Sequence, residues 1–208
     1  MYNTSNTQMP LEHIHQLLKQ RNFATLVSAD LQATHLPLSF TAQNQLGLLT
    51  GHLAKTNPHW KKLNNQRVLT IFNGPDSYIS PTWYHTRPSV PTWNYVTIHA
   101  YGTVEIVEPT LMLEDLNCLI EQHDPQLLKT NDCITDELKH RLMDAIVGIR
   151  IHVEHLEGKE KLGQHRSERD QATVLTALGA QKTPHANDMC QYLKHRWPSK
   201  FKKHLPNK

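Results

Sequence analysis

Leu11, Ile14, Leu17 and Leu18 recur at helical spacing and predict an amphipathic helix that ends near Asn22. Phe23 to Ser28 reads as a short strand, Ala29-Asp30 as a turn, and Leu31 to Phe40 as its partner strand. Pro37 interrupts that partner and implies an edge, a bulge or a special backbone there. Gln45 to Leu53 is a further strand, and Asn57-Pro58 opens a short helix through Leu63, with Asn as cap and Pro at the first helical position. Arg67 to Asn73 and Trp93 to Val107 are rich in β-branched and aromatic residues and are the clearest strands.

After residue 108 the pattern changes. Pro109 to His123 places Leu113, Leu116 and Ile120 on one helical face, and Thr135 to Ala145 predicts a second helix. Val147, Ile149, Ile151 and Val153 alternate strictly, as a half-buried strand requires. A turn is expected at Gly158. Ser167 caps a helix that ends at Gly179, and a last helix runs from about Ala186 to Arg196. About six strands with helices inserted or appended predict an α+β barrel rather than an alternating α/β sheet.

Composition narrows the class. The 208 residues suit one domain, and no run of about 18 apolar residues predicts a membrane span. Met1 to Pro10 is polar, so no signal peptide is expected. Cys118, Cys133 and Cys190 lie far apart with no C-x-x-C pair, which points to a reducing, cytoplasmic setting. Lys194 to Lys208 carries six Lys/Arg and no acidic residue, which leaves 16 basic against 19 acidic residues elsewhere. The chain therefore divides into a domain over 1–193 and a basic tail over 194–208. With Trp197 and Phe201 among its cations the tail could contact phosphates or single strands; the other reading is a solvated terminus.

Four polar, Pro- and aromatic-rich stretches stand apart from core filler: Ala33 to Pro37, Gly51 to Trp60, Ile79 to Tyr84, and Val90 to Tyr95. A fifth runs from Lys161 to Arg166. In the second, Thr50, His52, Lys55 and Asn57 crowd a strand end beside a helix start, which suits a dianionic phosphate; a solvated turn is the other reading. Trp83, Tyr84, Trp93, Asn94 and Tyr95 could wall a flat ring ligand or fill the core. Fifteen histidines raise the question of a metal. His152 and His155 are three apart on a strand and should face opposite ways, and no set has zinc-site spacing, so no metal is expected. There is no G-x-S-x-G, G-x-G-x-x-G or P-loop.

Together these stretches resemble the PaiB family, FMN-binding negative transcriptional regulators with a flavin-binding split-barrel fold. The resemblance rests on Phe23 to Val27, Ala33 to Leu38, Gly51 to Ala54, Asn57-Pro58 with Trp60, Phe72 with Gly74-Pro75, Tyr78 to Pro81 with Trp83-Tyr84, and Val90 to Tyr95, in family order. It implies a six-stranded, Greek-key split β-barrel with peripheral helices that works as a homodimer and holds FMN in a groove shared by two subunits. It further implies that Thr34, His35, Leu36 and Pro37 present backbone to the flavin ring, while Thr50, His52, Lys55 and Asn57 hold the phosphate. Trp93, Asn94 and Tyr95 would lie near the ring or the dimer seam, and Gln164 and Arg166 would reach the pocket. Two departures stand out: Lys55-Thr56 replaces Arg-Ala, and Gly163 and His165 replace Ser and Asn. Lysine supplies a cation but no bidentate fork.

Three functions compete. A regulator would bind DNA, although no helix-turn-helix with base-reading side chains is visible in the sequence. A flavin-dependent oxidoreductase would let FMN carry the redox chemistry, with His35 the first candidate for proton transfer. A haem-handling split barrel would use the abundant histidine.

Overall fold

The computed structural model describes residues 1–43, 45–129 and 135–198. Cys133 and the tail from residue 199 onward lie outside them. Six strands close a barrel: β1 (Phe23–Val27), β2 (Ala33–Thr41), β3 (Leu48–Ala54), β4 (Arg67–Ile79), β5 (Thr92–Val107) and β6 (Ile146–Lys161), in the order β1-β2-β3-β6-β5-β4. β1 pairs antiparallel with β2 and β4, and β3 with β2 and β6. The chain leaves β3 and resumes as β4 on the far side of β1, the long return of a Greek key. Among the described residues five α-helices are added: α1 (Leu11–Gln20), α2 (Pro109–His123), α3 (Asp136–Asp144), α4 (Glu168–Ala180) and α5 (Pro184–Arg196). No helix among the described residues is long and apolar enough to cross a membrane.

Pro37 pairs on one side only, so its other side is an edge of the kind expected. The ladder to β1 ends at Phe23 opposite Pro37, and the ladder to β3 begins at Leu38 opposite Gly51. The proline therefore falls where β2 exchanges one partner for the other, and its missing N–H interrupts neither ladder. Gly51 is small for a reason: a Cβ there would meet the Pro37 carbonyl oxygen and Leu38 Cδ2, both at 2.7 Å.

Two strands run well past their expected ends. β4 continues through Gly74-Pro75 because the burial alternation shifts by one: Val68, Thr70 and Phe72 are buried, then Pro75, Ser77 and Ile79. Gly74 allows that shift, since a Cβ there would lie 2.8 Å from Val96 Cβ. Gly158 is no turn but lies inside β6, where its carbonyl accepts from Met9 N and the Asn3 side chain. The β6 alternation also slips, at Glu154-His155, so His152 and His155 are both exposed rather than on opposite faces. Each has its own carboxylate neighbour, Glu105 and Glu157 respectively.

By its internal contacts the chain forms two compact units. One comprises Leu11–Phe72 and Ile98–Glu157, with Leu26, Leu38, Leu49, Phe72, Ile98, Ile149 and Ile151 fully buried. Each such side chain contributes about 1.5–3 kcal/mol by leaving water. The other comprises Met1–Pro10, Asn73–Thr97 and Gly158–Lys208, and its core centres on Ile79, Leu178 and Met189. In this unit the cap on α4 is as expected, with Ser167 Oγ accepting from Asp170 N at 3.1 Å. Lys194, His195 and Arg196, assigned above to the basic tail, form the last turn of α5.

Candidate functional site

In the first unit, the expected phosphate-binding residues divide by what the fold already asks of them. Asn57 caps the short 3-10 turn Pro58–Lys62: its Oδ1 accepts from His59 N at 3.1 Å and its Nδ2 donates to Thr34 Oγ1 at 3.2 Å. Thr34 in turn meets His59 Nδ1 at 2.8 Å, and His59 Nε2 meets Ser28 Oγ at 2.8 Å. Ser28 donates to Asp30, whose other oxygen takes Lys62 Nζ at 2.8 Å. These partners assign one direction to the chain of bonds. Asn57 donates to Thr34, Thr34 to His59 Nδ1, His59 Nε2–H to Ser28, and Ser28 to Asp30. His59 is wholly buried, and burial holds its imidazole below the ordinary value, hence neutral. The sequence reading passed over this residue, although a histidine one position after a capped Pro is the visible sign of it.

Thr50, His52 and Lys55 are not consumed in this way. Thr50 and His52 share the outer face of β3, with Ser39 paired to Thr50 across the ladder. The Thr50 hydroxyl makes no hydrogen bond among the described residues, and His52 Nδ1 and Ser39 Oγ are buried without a partner. Burial lowers the His52 pKa, so the ring is neutral and one nitrogen carries a proton. Lys55, exposed just past the strand end, has no carboxylate partner among the described residues, and its backbone carbonyl accepts from Trp60 Nε1 at 3.0 Å. A phosphate monoester offers only acceptors, and an ammonium, a hydroxyl and an imidazole N–H are what it needs. The donor set fits FMN's phosphate.

On β2, Leu36 is buried in the core and Pro37 is half-buried, while His35 is exposed. Thr25 Oγ1 and His35 Nδ1 are 3.0 Å apart, and the ring stacks on Phe23 at 6.2 Å between centroids. Phe23 is 67% exposed. The imidazole is thus fixed by two neighbours and keeps Nε2 outward.

The second unit holds the remaining expected residues, and they do not act as one group. Trp93 and Tyr95 share a face of β5 and Asn94, only 2% exposed, faces the other way. Trp93 donates to Asp76 at 3.1 Å and meets the edge of Tyr78, and Tyr95 lies under the Lys159 ammonium at 5.5 Å. Gln164 is spent within its own turn: its Oε1 accepts from Leu162 N at 2.9 Å and its Nε2 donates to Glu160 O. Gly163 has φ +79°, so the serine it replaces would be strained there. Arg166 lies over the Tyr84 ring, 4.3 Å from the centroid, and shares a recess with Asn94. Burial raises the Tyr84 phenol pKa, with the Arg166 charge opposing.

Residues 1–155 match the family model described as "Putative FMN-binding domain". Protease synthase and sporulation protein PAI 2 of Bacillus subtilis is 33% identical over 193 residues, covering 89% of this chain and 92% of the relative. An uncharacterized protein of Emericella nidulans is 27% identical over 213 residues, covering 83% and 85%. Among solved structures, a FAD and heme binding protein from Mycobacterium smegmatis superposes with TM-score 0.58 at 16% identity, over 80% of this chain and 79% of that one. The flavocytochrome Anf3 of Azotobacter vinelandii gives 0.54 at 12% identity, over 81% and 80%. At these identities the two superpositions speak for the barrel alone.

Proposed function

The chain belongs to the PaiB family of FMN-binding split-barrel proteins, and from that premise we propose that it is an FMN-holding regulator that acts as a homodimer in the cytoplasm and binds DNA. The observation that carries the flavin part is the donor set at the end of β3, where Thr50, His52 and Lys55 have capacity that the fold leaves unused. In this reading Lys55 and Thr50 hold the phosphate directly and His52 donates from the strand face. Asn57 acts one step back, by fixing the turn that follows Lys55. FMN, when bound, supplies hydride or single-electron chemistry, and the chain's part is to bind and orient it.

The test is a titration of flavin fluorescence. FMN quenching should saturate with wild type, and Lys55→Ala should weaken binding by about tenfold or more, the worth of a charge-assisted contact. Absence of saturable quenching by wild type would sink the reading. Light scattering checks the assembly: the expected mass is twice that of the 24.0 kDa chain.

One observation favours a second reading, a flavin-dependent oxidoreductase. His35 is held by Thr25 and Phe23 with Nε2 outward, as a proton-transferring group would be. Anaerobic mixing of the FMN-loaded protein with NADH or NADPH should bleach the flavin band if this is right. An unchanged band with both leaves the regulator standing.

A further inference from the structure

α4 and α5 are consecutive 13-residue helices separated only by Gln181, Lys182 and Thr183. Lys182 makes the turn in the left-handed conformation, φ +54°, and the Thr183 hydroxyl caps α5 by accepting from Ala186 N at 3.3 Å. The second helix is firmly mounted. It buries Ala186, Met189, Cys190 and Leu193, with Cys190 Sγ 3.8 Å from the Leu175 carbonyl oxygen of α4. Glu160 ties down its far end by accepting from Tyr192 and Arg196, and His185 Nδ1 lies 3.3 Å from Asp76 Oδ2 at its near end.

With those residues inward, the helical period sets the opposite face. Asn187, Gln191 and His195, at i, i+4 and i+8, run along it, and all three are exposed. The Asn187 and Gln191 side chains have no hydrogen-bond partner among the described residues, and each amide offers a donor and an acceptor side by side. Asp188, at the border of the face, is half-buried and is not free. The charge around this amide face has one sign. Residues 181–208 carry seven Lys/Arg and a single acidic residue, Asp188. Glu160 neutralises Arg196, which leaves Lys182 before α5, Lys194 in its last turn and four lysines in the chain that follows. Uncharged amides flanked by cations complement a ligand with anions outside and neutral polar edges within, which is duplex DNA.

We propose that α5 enters the major groove of duplex DNA, with Asn187 and Gln191 on base edges and Lys182 and Lys194 on the flanking phosphates. The proposal rests on the regulator reading and gives it a sequence-reading element, which the sequence alone did not show. A helix with its side chains is about 10–12 Å across, and the major groove is about 12 Å wide. Asn and Gln each match adenine through its N6 and N7. Four residues advance about 6 Å along a helix and bases of one strand are about 3.4 Å apart, so the two amides address adenines about two steps apart.

The probe is a pool of DNA duplexes with a randomised core, presented to the full chain with FMN present. The retained fraction is sequenced, and the enriched duplex is titrated by fluorescence anisotropy beside a scrambled one. Wild type should enrich a site with two adenines at that spacing. Asn187→Ala should erase the preference at one of them and Gln191→Ala at the other, each weakening the enriched duplex by about tenfold. Affinity for the scrambled duplex and its salt slope should not change, whereas a merely structural role would weaken both duplexes together. Both side chains are exposed and alanine is the better helix former, so the variants should fold, which circular dichroism verifies. Variants that enrich the wild-type site would overturn the proposal and leave the regulator reading standing. Wild type that binds no duplex, or enriches none, would sink both. A single-stranded pool held as tightly as the duplex would also overturn it, since single strands have no groove. Flavin quenching on the same samples keeps the FMN reading separate from either failure.

Discussion

His59 is fully buried, yet both its ring nitrogens are bonded, and it ties the β1–β2 hairpin to the turn that carries Asn57. Removing it leaves Thr34 and Ser28 with partners on one side only. His59→Leu is expected to cost about 1–3 kcal/mol in urea unfolding, the range for an interrupted buried network. Titration gives a second check. Burial sets the folded pKa below the ordinary 6.5, with Asp30 opposing and Lys62 reinforcing. The contribution is therefore intact above about pH 6.5 and is lost as pH falls below it, because the unfolded chain takes up the proton first. Wild type should lose stability between pH 6.5 and 5 more steeply than His59→Leu, and parallel slopes would place the titration elsewhere. Asn57 belongs to the same network, so Asn57→Ala should cost about 1 kcal/mol as a lost cap. Its effect on FMN affinity should be smaller than that of Lys55→Ala. The sequence showed that Thr50, His52, Lys55 and Asn57 crowd one strand end. It could not show that Asn57 is already occupied, since that depends on Thr34 and His59 arriving from other elements.

At the scale of elements, the strands were legible wherever alternation held and were cut short wherever it slipped. Asn73-Gly74 in β4 and Glu154-His155 in β6 each shift the buried face by one residue, so a period-two pattern reads as an ending there. Pro37 was legible as an edge-type position, but its cost depends on which ladder needs its N–H, and only the register shows that neither does. The Gln164 turn was visible as polarity, yet its amide closes the turn and points at no ligand. The docking of α5 was not legible at all. Glu160, 3% exposed at the end of β6, accepts from Tyr192 and from Arg196 Nε at 3.0 Å, an anchor made of residues some thirty positions apart. Burial, then the Glu160 charge, pushes the Tyr192 phenol far up, so it stays a donor at any working pH. Glu160→Leu would strand the half-buried Arg196 charge. Amide exchange in α5 should then quicken by about tenfold or more, the result of losing a charge-assisted pair. Unchanged protection of Met189 to Leu193 would show that apolar packing alone seats the helix.

For the whole molecule the decisive quantity is where its charge lies. Residues 199–208 carry four lysines and no acidic residue, and the chain as a whole is only +3. Lys194 and Arg196 belong to α5, and Arg196 is spent on Glu160, so the densest run of cations in the sequence lies in those last ten residues. If the regulator reading holds and DNA is bound by its phosphates, each lysine in contact adds about 0.9 to the salt slope of log affinity on duplex DNA. Truncation after Pro198 should then flatten that slope by about 3 to 4 and remove most of the binding, while FMN affinity, which the proposed site at the end of β3 would set, stays as in the full chain. Fluorescence anisotropy on a duplex at several salt concentrations reads the first, and flavin quenching on the same samples the second. A truncated protein that keeps its slope would move DNA contact onto the barrel. One that loses FMN together with DNA would tie the tail to the flavin site.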